Sequence, residues 1–187
     1  APVPVLKILR SEETPGAAAH IAMGLNSLGL QISLYCCVGD DREGQVIIGK
    51  LSEHGIDTSG IAIVPERSTL TKIRFYGSRE SLLDKSQILL QADRGPREGL
   101  PNSVFESLTE QAMSSLGDSC AIVLSDYDKG VLNAAGARAL IDAASEAGLP
   151  VIMDPKLTGL DRSRGADVVL FEKRGLELLS RRQMASD

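Results

Sequence analysis

From Ala121 onward the chain alternates short apolar runs with amphipathic stretches, and this alternation constrains its fold more than any other feature. Ala121–Leu124 is wholly apolar, too short for a helix, and runs into Ser125-Asp126-Tyr127-Asp128-Lys129-Gly130. Ala134–Ala147 follows at helical spacing and stops at Gly148. Val151–Met153 and Asp154-Pro155-Lys156 repeat the strand and loop, and Val168–Phe171 and Gly175–Arg182 close the pattern as strand and helix. Such alternation implies parallel strands with right-handed crossovers. It also places the polar loops at the carboxyl ends of the strands, where open α/β sheets bind ligands.

The first half follows the same plan with one interruption. Thr14-Pro15-Gly16 is a turn, and Ala17–Leu28 is a helix closed by Gly29. Ile32–Val38 reads as a buried strand entering the loop Gly39-Asp40-Asp41, where Asp40 is expected to cap or turn the chain. Glu43–His54 is a helix closed by Gly55, Ile61–Val64 a strand, and Val104–Leu116 a helix. The interruption is Thr69–Tyr76 and Gln87–Ala92, two strands joined by the polar stretch Gly77–Ser86. The first alternates Leu70, Lys72 and Arg74 against Thr71, Ile73 and Phe75, so one face is cationic and the other apolar. Val3–Leu9, with prolines at positions 2 and 4, is a peripheral strand, because proline cannot donate to an interior ladder. These three strands are expected to form a small sheet of their own.

Composition narrows the function. At 187 residues the chain fits one domain. Aromatic residues make up only 3% and Trp is absent, so the core must be built from Leu, Ile, Val and Ala, as suits a parallel sheet covered by helices. A net charge of −5 argues against a nucleic-acid partner. No run reaches the roughly 18 apolar residues of a membrane span. Ala1–Arg10 lacks the basic and apolar regions of a signal peptide. Cys36, Cys37 and Cys120 are too few and too oddly spaced for a disulfide framework, which suits free thiols in a reducing, cytoplasmic compartment. Adjacent cysteines and two scattered histidines also lack metal-ligand spacing, so no metal-ligating residue is expected and a redox or metal protein built on Cys36-Cys37 is disfavoured.

Four segments in this order carry a resemblance: Ala1-Pro-Val-Pro-Val-Leu-Lys-Ile; Pro15-Gly-Ala-Ala-Ala-His-Ile-Ala; Val38-Gly-Asp-Asp with Gly44; and Leu124-Ser-Asp-Tyr-Asp-Lys-Gly with Asp154-Pro-Lys. Together they resemble the ribokinase-like carbohydrate kinases, and among them the bacterial heptose 7-phosphate kinases, over nearly the whole chain to about Leu170. The resemblance implies an α/β, ribokinase-like three-layer sandwich with a parallel central sheet and a small β lid. Residues 1–187 would be part of one kinase domain, with lid strands near 2–9, 69–76 and 87–93. It implies ATP as donor, magnesium as the ion, a sugar phosphate as acceptor, and a homodimer joined through the lid strands.

The same resemblance assigns residues. Gly16, Ala17 and His20 stand where the family has Gly-Gly-Ala-Ala-Asn, whose backbone amides approach the sugar; a plain helix entry is the other reading. Lys72 and Arg74, in Thr71-Lys72-Ile73-Arg74, would close over the sugar phosphate, two cations on one strand face being able to reach one anion; a solvated strand face is the alternative. Asp93 matches a lid acid facing sugar hydroxyls. Asp126 and Lys129 would line the cleft between sugar and nucleotide. Lys156 would lie on the nucleotide side, unless it is an ordinary surface lysine. Glu172 stands where the family has an Asn that helps to order magnesium and phosphates. No catalytic residue is assigned, because the family's base comes from a Gly-Ala-Gly-Asp run that the 187 residues do not contain. Two expectations follow: a chain truncated at both ends with impaired phosphorylation of a sugar phosphate, or a non-catalytic remnant that binds sugar phosphate or merely dimerises.

Overall fold

Local signals place most helices. The computed structural model describes residues 7–77, 87–96 and 99–181. Helix α1 (Ala17–Ser27) ends where Gly29 takes a φ of +89°, the left-handed conformation that glycine adopts without a Cβ clash. Helix α2 (Arg42–Glu53) starts at Asp41, whose side chain accepts a hydrogen bond from the Gly44 amide at 2.9 Å. The cap is therefore Asp41, not Asp40, which is exposed. Helices α3 (Asn102–Ser114) and α4 (Ala134–Glu146) follow, the second capped by Asn133. Helix α5 (Lys173–Ser180) holds Gly175 inside its first turn rather than at its start.

The strands are β1 (Cys36–Gly39), β2 (Ile61–Val64), β3 (Thr71–Gly77), β4 (Gln87–Arg94), β5 (Ile122–Asp126), β6 (Val151–Pro155) and β7 (Val168–Val169). Among the described residues they form three hydrogen-bonded groups: β1 parallel to β2, β3 antiparallel to β4, and the parallel set β5-β6-β7. β1 begins four residues later than its apolar run, because Ser33 makes only an isolated bridge to Asp57 before the ladder starts at Cys36. Within β1 the adjacent Cys36 and Cys37 point to opposite faces. That geometry removes a disulfide or dithiol chemistry between them. Of the strand expected over Val3–Leu9, residues 3–6 lie outside the described residues, and 7–9 lie in no strand.

Two apolar clusters hold the body. Ala19, Ala22, Leu34, Val38, Leu51, Ile56 and Ile61 bury α1 and α2 against β1 and β2. Leu124, Leu140, Ile141, Ala144, Val151 and Met153 bury α4 against β5 and β6. β3 and β4 contribute to neither, and all eight residues of β4 are exposed. Their pairing opposes Lys72 to Asp93 and Arg74 to Gln91 on one face, and Ile73 to Ala92 and Phe75 to Leu90 on the other, since directly paired residues share a face.

Candidate functional site

Three lysines from separate segments meet at the carboxyl ends of the strands. Lys72 comes from β3, Lys129 from the loop after β5, and Lys156 from the loop after β6; with Leu70, Tyr127, Asp128 and Thr158 they line an open cleft of about 310 Å³. None of the three ammonium groups forms an ion pair with a described residue. The Lys156 ammonium lies 5.0 Å from the centre of the Tyr127 ring, a cation–π distance that orders its long side chain. Lys72 thus marks the polar face of β3 as the one turned to the cleft, and the apolar face carrying Ile73 and Leu90 points away from it.

Beneath the cleft lies an ion-pair network. Asp126, the last residue of β5, is 3% exposed. One of its oxygens accepts from Arg162 Nε at 2.5 Å and the other from the Asp128 amide at 2.9 Å. Arg162 also donates to Asp128 at 2.6 Å, and the Thr158 hydroxyl donates to the other Asp128 oxygen at 2.7 Å. Thr158 first and Arg162 second hold the Asp128 carboxyl below the usual carboxylate range. Gly159 gives this network room: a Cβ would sit 2.3 Å from the Arg162 guanidinium and 2.7 Å from Asp126, so the pair would have to shift. The backbone amide of Lys156 donates to the Asp126 carbonyl at 3.1 Å, tying the two strand-end loops together.

A second network anchors the β3–β4 ribbon. Buried Thr69 donates its amide and its hydroxyl to Asp41 at 2.8 and 2.6 Å, and its hydroxyl accepts from the Gly39 amide at 2.9 Å. Burial opposes ionisation of Asp41, but the hydrogen bonds from Thr69 and Gly44 outweigh it and keep the carboxyl below its usual range. Gly39 cannot be larger, since a Cβ would fall 1.9 Å from the Arg67 carbonyl. At the same end of the ribbon, where Arg94 pairs with Thr71, Arg94 forms an ion pair with Glu43 at 2.7 Å. Arg67 donates to the Lys129 carbonyl at 3.1 Å, joining the ribbon's approach to the cleft loop.

The structure sorts the residues singled out from sequence. Lys72, Lys129 and Lys156 come together in one cleft. Asp126 is turned inward onto Arg162 and does not line the cleft. Arg74 and Asp93 lie on the ribbon's polar face but outside the cleft lining, and Asp93 accepts a hydrogen bond from Gln91. Gly16, Ala17 and His20 occupy the exposed first turn of α1 and line no part of it. Ala17 has a φ of +50°, a conformation that favours glycine, at the position where the resembled family carries one. Glu172 is the exposed N-terminal residue before α5, and it too lies outside the cleft. Sequence reasoning missed Arg162, Thr158, Thr69 and Arg67. Asp128 sat in plain view within Ser125–Gly130, whereas Arg162 lies in a connection with no local signature.

Among the described residues no group of three or more His, Cys, Asp or Glu side chains is arranged to hold a metal ion. The cleft's single acid, Asp128, is already occupied by Arg162 and Thr158. Among the described residues the cleft thus offers no free carboxylate to a magnesium ion. No helix among them is long and apolar enough to cross a membrane.

The pattern of the pfkB family carbohydrate kinases matches residues 10–187. The bifunctional protein HldE of Salmonella dublin is 37% identical over 169 residues, 90% of this chain and 33% of that protein. HldE of Magnetococcus marinus is 40% identical over 178 residues, 94% of this chain and 35% of that protein. The chain thus spans about a third of the length of these curated relatives. Among solved structures, phosphofructokinase-2 from Escherichia coli in complex with substrates and products superposes with a TM-score of 0.67 at 17% identity, covering 91% of this chain and 53% of that one. The PfkB protein from Polaromonas sp. gives a TM-score of 0.62 at 19% identity, covering 91% and 59%. At these identities the superpositions establish the ribokinase-like α/β fold alone.

Proposed function

The chain belongs to the pfkB family of carbohydrate kinases, and from that premise we propose that its three-lysine cleft binds the phosphate of a phosphorylated sugar awaiting a second phosphoryl group from ATP. One observation carries the proposal: Lys72, Lys129 and Lys156 reach the same cleft from three segments, while Asp128, the one carboxylate among its described lining residues, is paired with Arg162. Several ammonium groups around one opening suit an anion with more than one charge, and their attraction acts before any chemistry begins. The resemblance of the sequence to heptose 7-phosphate kinases names heptose 7-phosphate as the sugar, and an ATP donor places the reaction in the cytoplasm. Magnesium that accompanies ATP finds no cluster of three or more His, Cys, Asp or Glu side chains among the described residues.

What this chain's residues do is bind and orient. Lys72 closes from the β3–β4 ribbon as a lid over the sugar phosphate, and Lys129 and Lys156 are fixed by the loops beneath. Arg74 and Asp93 stand beside Lys72 on the same face, placed to reach hydroxyls as the ribbon moves. A general base and a nest of amides for the migrating group are the other requirements of such a kinase, and the 187 residues hold no Gly-Ala-Gly-Asp run to supply them. We therefore expect binding without turnover from the 187-residue chain. Titration with heptose 7-phosphate beside a coupled ADP-release assay tests both halves. Turnover near the ~1–100 s⁻¹ usual for kinases would overturn the second, and no detectable binding at millimolar sugar phosphate would overturn the first.

A second role is favoured by the exposed apolar face of the ribbon, where Ile73 is 45% and Leu90 54% exposed. Covering that face with the same face of another copy would make a homodimer through the lid strands. Sedimentation should show a dimer at tens of micromolar concentrations that Leu90→Lys dissociates; a monomeric wild type refutes it.

A further inference from the structure

The cleft has a charge problem that its lining residues do not solve. Asp128 lies among the three lysines, and a free carboxylate there would compete with any incoming anion for the same ammonium groups. The structure shows its two oxygens taken by Arg162 and Thr158. Arg162 is itself no part of the cleft lining. It is held from below by the buried Asp126 through Nε, which leaves its terminal nitrogen directed at Asp128. Because Asp126 is 3% exposed and Arg162 18%, this half of the network is shielded from solvent, and Gly159 leaves it room, since a Cβ there would press on both side chains. Asp128 in turn adopts a φ of +54°, a conformation unfavourable for a residue with a Cβ unless its surroundings enforce it.

We propose that Arg162 is a positioning residue that keeps the cleft receptive to anions by occupying the Asp128 carboxylate, so that Lys129 and Lys156 remain available to the ligand. The proposal rests on the phosphate-binding reading of the cleft given above. Two consequences separate it from a simple structural role. Loss of Arg162 is repaired by removing the charge it neutralises. The defect is also electrostatic, and so shrinks as salt rises.

The test is a titration of inorganic phosphate and, separately, heptose 7-phosphate into four forms of the 187-residue chain: wild type, Arg162→Gln, Asp128→Asn, and the double variant. Glutamine can still donate to buried Asp126 while lacking the charge. At low salt Arg162→Gln should bind phosphate roughly tenfold or more weakly, the scale expected of a freed like charge in a partly solvated cleft. Asp128→Asn should bind tighter, by up to about threefold, and the double variant should return to within about threefold of wild type. The Arg162→Gln defect should fall by at least about half on a logarithmic scale near 0.3 M salt. Equal binding by wild type and Arg162→Gln overturns the proposal, as does a double variant as weak as Arg162→Gln. If Arg162→Gln does not fold, Asp128→Asn alone decides, and weaker binding by it is the refuting result. Phosphate binding by wild type with no added affinity for heptose 7-phosphate would sink the sugar assignment and leave the role of Arg162 standing. Failure of wild type to bind either probe would sink both.

Discussion

Replacing Thr69 by valine removes one hydroxyl from the joint between body and ribbon without changing the side chain's shape. That hydroxyl makes two contacts: it donates to Asp41 at 2.6 Å and accepts from the Gly39 amide at 2.9 Å. The first is a hydrogen bond to a carboxylate, worth about 1.5–3 kcal/mol net, and the second leaves a buried amide without its acceptor at about 1–3 kcal/mol. The added methyl recovers up to about 0.8 kcal/mol, so Thr69→Val should cost about 2–5 kcal/mol. With a urea slope of ~2 kcal/mol/M, the midpoint should fall by about 1–2.5 M. The pH dependence supplies a sharper check. Asp41 is held below its unfolded value of about 3.9, so its contribution is complete above that value and is lost as pH falls through its folded pKa. The variant retains the backbone amide donors of residues 69 and 44 but not the hydroxyl, so the gap from wild type should be constant above about pH 5 and narrow as pH falls below about 4. A midpoint shift below about 0.3 M, or a gap independent of pH, would refute the reasoning.

Gly136→Ala would place a Cβ 2.1 Å from the Phe105 ring at the α3–α4 contact and should destabilise by about 1–3 kcal/mol, with Phe105→Leu restoring part of it in thermal unfolding. Exposed Cys120 should react with a thiol reagent in the native state, whereas Cys36, whose thiol burial and then Cys37 push up to about 12, should react only on unfolding; native labelling at Cys36, read by mass spectrometry, would contradict this. Ala17→Gly relieves a φ of +50° and should change stability by only about 0 to +1 kcal/mol. Combined with His20→Asn it should leave phosphate affinity unchanged, since neither residue lines the cleft; tighter binding by calorimetry would return the first turn of α1 to the site. Lys72→Met should weaken phosphate binding by about tenfold without shifting the thermal midpoint, because Lys72 is exposed and makes no ion pair with a described residue.

Elements whose signals are local were legible. Gly29, Gly55 and Gly148 stop α1, α2 and α4 where the sequence puts them, and each takes a positive φ. Alternating cationic and apolar residues set out β3, and the strand–helix–strand order after Ala121 foretold β5-β6-β7. What failed depended on partners distant in sequence. The start of β1 is decided by where β2 can pair, and the cap of α2 by which of two adjacent acids Thr69 reaches. The same reason hid Arg162, which finds Asp126 across 36 positions and has nothing beside it to mark the meeting. Asp126 is legible in the sequence as a carboxylate at a strand end, but its orientation depends on that distant arginine. The sequence pattern predicts a helix from Gly175, whereas α5 begins two residues earlier.

Both joints of the β3–β4 ribbon, Thr69 with Asp41 and Arg94 with Glu43, close on neighbouring positions at the start of α2. A paddle whose two attachments converge on three residues behaves as an interchangeable cassette. Its eight-residue outer strand buries nothing, so mutations there escape the penalties of core packing. Substrate range and partner choice could diversify along this ribbon while the two apolar clusters stay unaltered. A descendant could exchange the ribbon whole, keeping only Asp41 and Glu43 as its sockets.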